Sequence, residues 1–231
     1  MNSDLFAAID SYCERTDPSF WAEPVNAVTN GAFLIAAAAA FGLWRRAGGR
    51  DGPALWLIAV IATVGIGSFL FHTFANRWSL LADVIPIAVF IYSYFVLALR
   101  RYLGLGALAA GAATLAFAAF GMGFDFGWEA VFGAYNLNGS VGYLPAALAL
   151  VGVGALAIAR GRRRAGQGLL LAAAVFALSL TFRSVDETFC AALPLGTHFL
   201  WHTLNAVVLF VLTRTAIEAR AERSRSGART R

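Results

Sequence analysis

Long apolar runs alternate with short polar, arginine-containing segments along nearly the whole chain of 231 residues. A helix of about 20 apolar residues is long enough to cross the ~30 Å hydrocarbon core of a bilayer. Seven such runs are present, at roughly residues 26–44, 54–75, 80–99, 103–123, 142–159, 168–184 and 195–213. The sixth run is short, and glycines interrupt the fourth. The pattern predicts an all-α, polytopic membrane protein with seven transmembrane helices.

The seven runs leave only short segments outside the membrane. They divide the chain into an extracytoplasmic N-terminal segment (1–24), a seven-helix transmembrane domain (25–214) and a basic cytoplasmic tail (215–231). Only 13% of the residues are charged and the mean hydropathy is +0.68, whereas about a quarter of the residues in a soluble domain are charged. A separate soluble domain is therefore not expected.

Arginine is distributed unequally between the segments that connect the helices. Most arginines follow helices 1, 3, 5 and 7, and only Arg15, Arg77 and Arg183 fall on the other side. Cytoplasmic segments of membrane proteins carry the excess of basic residues, which predicts an external N-terminus and a cytoplasmic C-terminus. The net charge of +5 then reflects topology, and no nucleic acid is expected as a partner.

The three histidines of the chain all lie in apolar stretches. His72 lies in GIGSFLFHTF, and His198 and His202 lie in GTHFLWHTLN. The i, i+4 spacing places the last two on one face of a helix, and ionisable residues in membrane helices usually mark function. Three imidazoles with an open fourth position are typical of catalytic zinc. The alternative is three core histidines that are hydrogen-bonded separately.

Two further polar residues lie at the same depth as the histidines. Ser68 is one turn from His72, and Asp83 is one turn inside the predicted third helix. At ~1.5 Å per residue, all five polar groups lie within about two turns of the outer interface. Beside a zinc ion, Asp83 would orient or deprotonate water and pass its proton to a leaving group. Ser68 would donate a hydrogen bond to a developing oxyanion.

Both polar residues also have structural interpretations. Asp83 would alternatively pair with Arg77 or accept a hydrogen bond from a histidine ring. The Ser68 hydroxyl would alternatively bond back to its own helix.

The two cysteines, Cys13 and Cys190, fall on the predicted outer side, before helix 1 and between helices 6 and 7. An oxidising compartment would allow them to form a disulfide. Two free cysteines are the alternative.

At these residues the chain resembles the alkaline ceramidase family, within a wider superfamily of seven-helix membrane hydrolases that includes the adiponectin receptors. The shared pattern here is Ser68-x3-His72, Asp83 in SLLADVIP, and His198-x3-His202. The stretches GSFLFHTF, LADVIP, HFLWHTLN and WAEPVNAVTN look specifically ceramidase-like. The middle helices match only as apolar segments.

The resemblance implies a zinc-dependent amidohydrolase that cleaves ceramide-like lipids to a sphingoid base and a fatty acid. The three histidines would be the zinc ligands, Asp83 the acid/base and Ser68 the oxyanion donor. The family also joins its N-terminal segment to its last outer loop by a disulfide, and Cys13 and Cys190 occupy matching places.

The resemblance further implies calcium, bound by the N-terminal segment. The matching residues are Asp10, Glu14 and Glu23, with Asp17 and the Tyr12 carbonyl as further candidates, and such oxygen ligands suit Ca²⁺. The pattern departs from the family's in three ways: an extra residue follows the aspartate, the gap before Glu23 is shorter, and the usual tryptophan is absent. A solvated acidic segment is the alternative.

Other functions share parts of this pattern. A receptor of the adiponectin-receptor type, or a hydrolase of another N-acyl lipid, would share the same pattern. A retinal protein is excluded, because its Schiff base needs a lysine and the chain has none. The compact chain and its high alanine, glycine and arginine content favour a bacterial inner-membrane protein with its active site on the periplasmic side.

Overall fold

The computed structural model of the protein describes residues 4–133 and 135–229. Within this part of the chain the regular elements are helical, and seven segments are long and apolar enough to cross a membrane, which confirms the predicted fold class. The helices are α1 (Pro24–Thr29), α2 (Gly31–Arg46), α3 (Gly52–Phe74), α4 (Arg77–Arg101), α5 (Ala107–Phe132), α6 (Leu144–Ala159), α7 (Arg163–Val185) and α8 (His198–Arg229). Helices α1 and α2 meet at Asn30 and together form the first of the seven segments.

The predicted helix ends are less accurate than the predicted helices. Helix α5 continues to Phe132 rather than ending at 123, and α8 continues to Arg229 rather than ending at 213. Hydropathy shows where an apolar segment ends, whereas arginine, glutamate and alanine extend a helix beyond it. In α8 an i, i+4 ion pair of 2.7 Å between Arg214 and Glu218 supports this extension.

Helices α3 and α8 form the centre of the bundle. Helix α3 packs against α2, α4 and α8, and α8 packs against α2 and α7. Helix α5 lies beside α4 and buries only Ala110, so nearly all of its apolar surface remains available to lipid. Because α3 and α8 carry the three histidines, the packing at the centre of the bundle determines where these side chains meet.

Helices α3 and α4 approach each other unusually closely at Gly67. A Cβ atom at this position would lie 1.9 Å from the Ala82 carbonyl oxygen and 3.3 Å from the Asp83 nitrogen. Small residues allow this kind of close contact between membrane helices. Since Ser68 follows Gly67 directly, the same contact brings Ser68 towards Asp83.

The N-terminal segment folds over one end of the bundle. Its backbone pairs with the turn between α3 and α4, where the Ile9 N–H donates to the Ala75 carbonyl at 2.8 Å. A disulfide joins Cys13 to Cys190, in the turn between α7 and α8, with a Cα–Cα distance of 5.1 Å. The disulfide implied by the resemblance is thus confirmed, and it fastens this segment beside the start of α8.

Candidate metal centre

Three histidine rings meet at the end of the bundle covered by the N-terminal segment. His72 lies in the last turn of α3, and His198 and His202 lie in the first two turns of α8. Each side chain is 1% exposed, and one ring nitrogen from each lies within 4.8 Å of the other two. Among the described residues, this is the one group of histidine, cysteine and carboxylate side chains arranged to hold a metal ion.

Each imidazole is oriented by a neighbour outside the group. The Nδ1 atom of His72 lies 2.6 Å from Glu23 Oε2, and Nδ1 of His202 lies 3.0 Å from the Thr29 hydroxyl. The ring of His198 stacks on Tyr12 with 3.7 Å between centroids. A hydrogen bond to one nitrogen, as in His72 and His202, fixes the direction of a ring and leaves its other nitrogen for a metal.

The unpartnered nitrogens fit a metal. His72 Nε2 and His198 Nδ1 are buried, and neither finds a hydrogen-bond partner among the described residues. A buried polar atom without a partner is rare in a folded protein and costs free energy. Two of the three rings thus carry a free buried nitrogen, which fits a group that could hold a metal ion.

Glu23 links the metal centre to Arg15. Its Oε1 accepts a 2.6 Å hydrogen bond from Arg15 Nε, while Oε2 contacts His72 and accepts from the Asn26 amide at 3.2 Å. Burial by itself raises the pKa of Glu23, but the bonds with His72 and Arg15 outweigh it and hold this pKa below its ordinary value. The sequence resemblance matched Glu23 to a calcium ligand and gave no sign that Glu23 contacts His72.

The start of α8 is held by Asp186, another residue whose role the sequence did not reveal. Its fully buried carboxylate accepts from the backbone N–H groups of Thr197 and of His198 at 2.9 Å, and from the Cys13 N–H at 3.1 Å. It therefore caps the helix that carries two of the histidines. Gly196 has φ +65°, and a Cβ atom there would lie 2.2 Å from the Asp186 carboxylate, so this turn requires glycine.

Ser68 and Asp83 lie side by side next to His72. Ser68 and His72 both act electrostatically on the Asp83 carboxyl. Asp83 Oδ1 is buried and has no hydrogen-bond partner among the described residues. Arg77 is exposed, and the ion pairs of the described chain do not include Asp83. The arrangement leaves a free carboxylate oxygen and a hydroxyl beside the metal centre.

Arg183 brings a positive charge to the same region. Its Nη1 donates to the Tyr12 hydroxyl at 3.0 Å, and its guanidinium lies 5.2–5.7 Å from the ring centroids of Tyr12, Tyr143 and Trp201. Burial raises the pKa of Tyr12 to about 12, despite the opposing effect of Arg183. Tyr12 is therefore a neutral phenol at physiological pH.

The residues matched to calcium ligands lie in different environments. Asp10 and Asp17 are exposed, and Asp17 accepts from the Ser19 N–H at 2.7 Å. Glu14 accepts from the N–H groups of Val25 and Asn26 at 2.7 and 2.8 Å, and burial raises its pKa. The Tyr12 carbonyl accepts from the Arg15 N–H, and Glu23 contacts Arg15 and His72.

An apolar cavity begins one turn below the polar groups. Its lining includes Val64, Ile87 and Asn205, which are one helical turn from Ser68, Asp83 and His202 respectively. Aromatic side chains such as Phe176 and Tyr143 line it further. An apolar space between the helices thus lies about one helical turn from the polar groups.

Comparison with known proteins identifies the chain at the level of the family. No curated protein sequence gives a significant match. The sequence profile of the Ceramidase family, however, matches residues 8–229, which include most of the N-terminal segment, the disulfide, all three histidines, Ser68 and Asp83. With nearly its whole length matched, the chain belongs to the Ceramidase family.

Proposed function

We propose that the protein is a zinc-dependent integral-membrane amidohydrolase, which cleaves the N-acyl amide bond of ceramide-like lipids to a sphingoid base and a fatty acid. The observation that carries this proposal is the convergence of three buried histidine nitrogens within 4.8 Å. Ser68 and Asp83 lie beside them, and family membership suggests a hydrolase of amide bonds.

The proposed zinc ligands are His72, His198 and His202. A bound zinc ion supplies Lewis acidity, which activates water and polarises an amide carbonyl. Glu23 and Thr29 orient two of the three rings through their Nδ1 atoms, so the remaining nitrogens face the shared position.

Asp83 is the proposed acid/base. Its buried, unpartnered oxygen takes a proton from the attacking water as the new C–O bond forms. As the C–N bond breaks, the same carboxyl returns the proton to the leaving nitrogen, which yields the amine and the fatty acid. Ser68 donates a hydrogen bond to the carbonyl oxygen as negative charge develops on it.

The apolar cavity supports a lipid substrate. With the amide at the histidines, one alkyl chain of the lipid would extend between the helices past Val64 and Ile87. The arginine-rich segments lie at the opposite end of the bundle. By the positive-inside rule this end is cytoplasmic, which directs the site towards the outer leaflet. We infer a bacterial inner-membrane enzyme with a periplasmic active site.

The test is His198→Ala, with Thr203→Ala as the matched control on an exposed position of the same helix. Purified wild-type protein should contain zinc by mass spectrometry and release fatty acid and amine from a panel of N-acyl lipids. His198→Ala should lose both properties, and Thr203→Ala should keep them. Zinc-free wild-type protein, or normal turnover by His198→Ala, would contradict the mechanism. Zinc without turnover of any N-acyl lipid would favour the receptor-like alternative.

A further inference from the structure

We propose that Arg15 is a built-in cation: its guanidinium takes the place of calcium in the N-terminal segment and positions His72 for metal binding. The identification of the metal as zinc rests on the function proposed above. The role of Arg15 is argued from the contacts of its own side chain.

The Arg15 side chain is buried and surrounded by oxygen atoms. The side chain is 5% exposed, and Nε donates to Glu23 Oε1 at 2.6 Å. Nη1 donates to the carbonyls of Asp17 and Ser19 at 3.2 and 3.3 Å, and Nη2 donates to the His72 carbonyl at 3.0 Å. One carboxylate and three carbonyls are the kind of oxygen ligands that Ca²⁺ prefers. Here they surround a permanent positive charge of the chain itself.

Two of the residues matched to calcium ligands, Glu14 and Glu23, are already engaged by other groups of the chain. Both oxygens of Glu23 are engaged, with Arg15 on one side and His72 and Asn26 on the other. Both oxygens of Glu14 accept backbone N–H groups. Calcium takes six to eight oxygen ligands, and an ion beside Glu23 would lie against the Arg15 guanidinium. The positive charge required by the buried carboxylate is already present.

Arg15 also acts on the metal centre from two directions. Its Nε donates to the Glu23 carboxylate, which contacts His72 Nδ1. Its Nη2 donates to the backbone carbonyl of His72. The carboxylate partner of a ligating histidine fixes the ring and raises its basicity, and its loss lowers metal affinity about 10–100-fold. Arg15 is therefore a positioning residue for His72.

The first test uses the wild-type protein. After calcium depletion, titration with CaCl₂ in a calorimeter should give no binding, and the melting temperature should not change. Binding of one equivalent of Ca²⁺ with micromolar affinity would overturn the proposal.

The second test measures zinc affinity by competition with a fluorescent chelator. Arg15→Ala should weaken zinc binding about 10–100-fold, while Arg77→Ala, an exposed arginine on the same end of the bundle, should not. Arg15→Lys keeps the charge beside Glu23 but not the planar set of donors. The zinc affinity of Arg15→Lys should fall about 10-fold. This variant replaces Arg15→Ala in the test if the alanine variant does not fold. Wild-type zinc affinity in either Arg15 variant would overturn the proposal.

These readouts do not depend on turnover. A protein that binds zinc through Arg15-dependent contacts but hydrolyses no N-acyl lipid would contradict the proposed function and leave the role of Arg15 intact.

Discussion

Gly67→Ala tests whether the close contact between α3 and α4 assembles the site. The added Cβ atom would lie 1.9 Å from the Ala82 carbonyl oxygen. Since side-chain Cβ atoms essentially never lie within 3.0 Å of another heavy atom, the helices must separate by at least about 1.1 Å. Overpacking of this kind typically costs about 1–3 kcal/mol. A displacement of about 1 Å in a catalytic group lowers rates about 100-fold.

We therefore expect Gly67→Ala to fold with a lower melting temperature and to lose about 100-fold in kcat. The assay is the initial rate of fatty-acid release by purified protein in detergent micelles, with thermal unfolding followed in parallel. The matched control is Gly123→Ala in α5, where an added Cβ atom meets nothing within 4 Å. Its activity should be unchanged. Wild-type kcat for Gly67→Ala would show that the spacing of Ser68 and Asp83 does not depend on this contact.

Two further outcomes follow from the site. Asp83→Asn should lose about 10²–10⁴-fold in kcat, because it removes the proposed acid/base, while the zinc content should stay at the wild-type value. A variant that keeps its rate would exclude Asp83 from proton transfer. Asp186→Ala removes the acceptor of three backbone N–H groups and should destabilise the protein by about 2 kcal/mol, as the loss of a helix cap does. Thermal unfolding checks this against Asp17→Ala, an exposed aspartate of the N-terminal segment. Equal melting temperatures for the two variants would refute the capping role.

The sequence predicts the seven helices and the depth of the histidines well, because both depend on local properties. An apolar run of a given length spans the bilayer, and a rise of about 1.5 Å per residue places His72, Ser68 and Asp83 at one level. The i, i+4 spacing of His198 and His202 is equally local. These predictions require no knowledge of which helices are neighbours.

The residues that contact the N-terminal segment and the histidines cannot be predicted from such local properties. Glu23 is 49 residues from His72, and Asp186 is 173 residues from Cys13. Their contacts depend on how the N-terminal segment folds back over the bundle. The pattern of apolar and polar residues contains no information about this fold. For the same reason the acidic residues of this segment were matched to calcium by resemblance alone, whereas the guanidinium of Arg15 is seen beside Glu23 only in three dimensions.

The disulfide between Cys13 and Cys190 spans 177 residues, and this separation has a consequence for biosynthesis. The N-terminal segment is synthesised well before Arg183, Asp186 and His198, which contact it. Contacts between distant parts of a chain form late in folding. The N-terminal segment therefore cannot form these contacts until α7 and α8 have been inserted into the membrane. The three histidines can therefore meet only after α8 has been inserted, and a chain stalled before α8 holds only one of them.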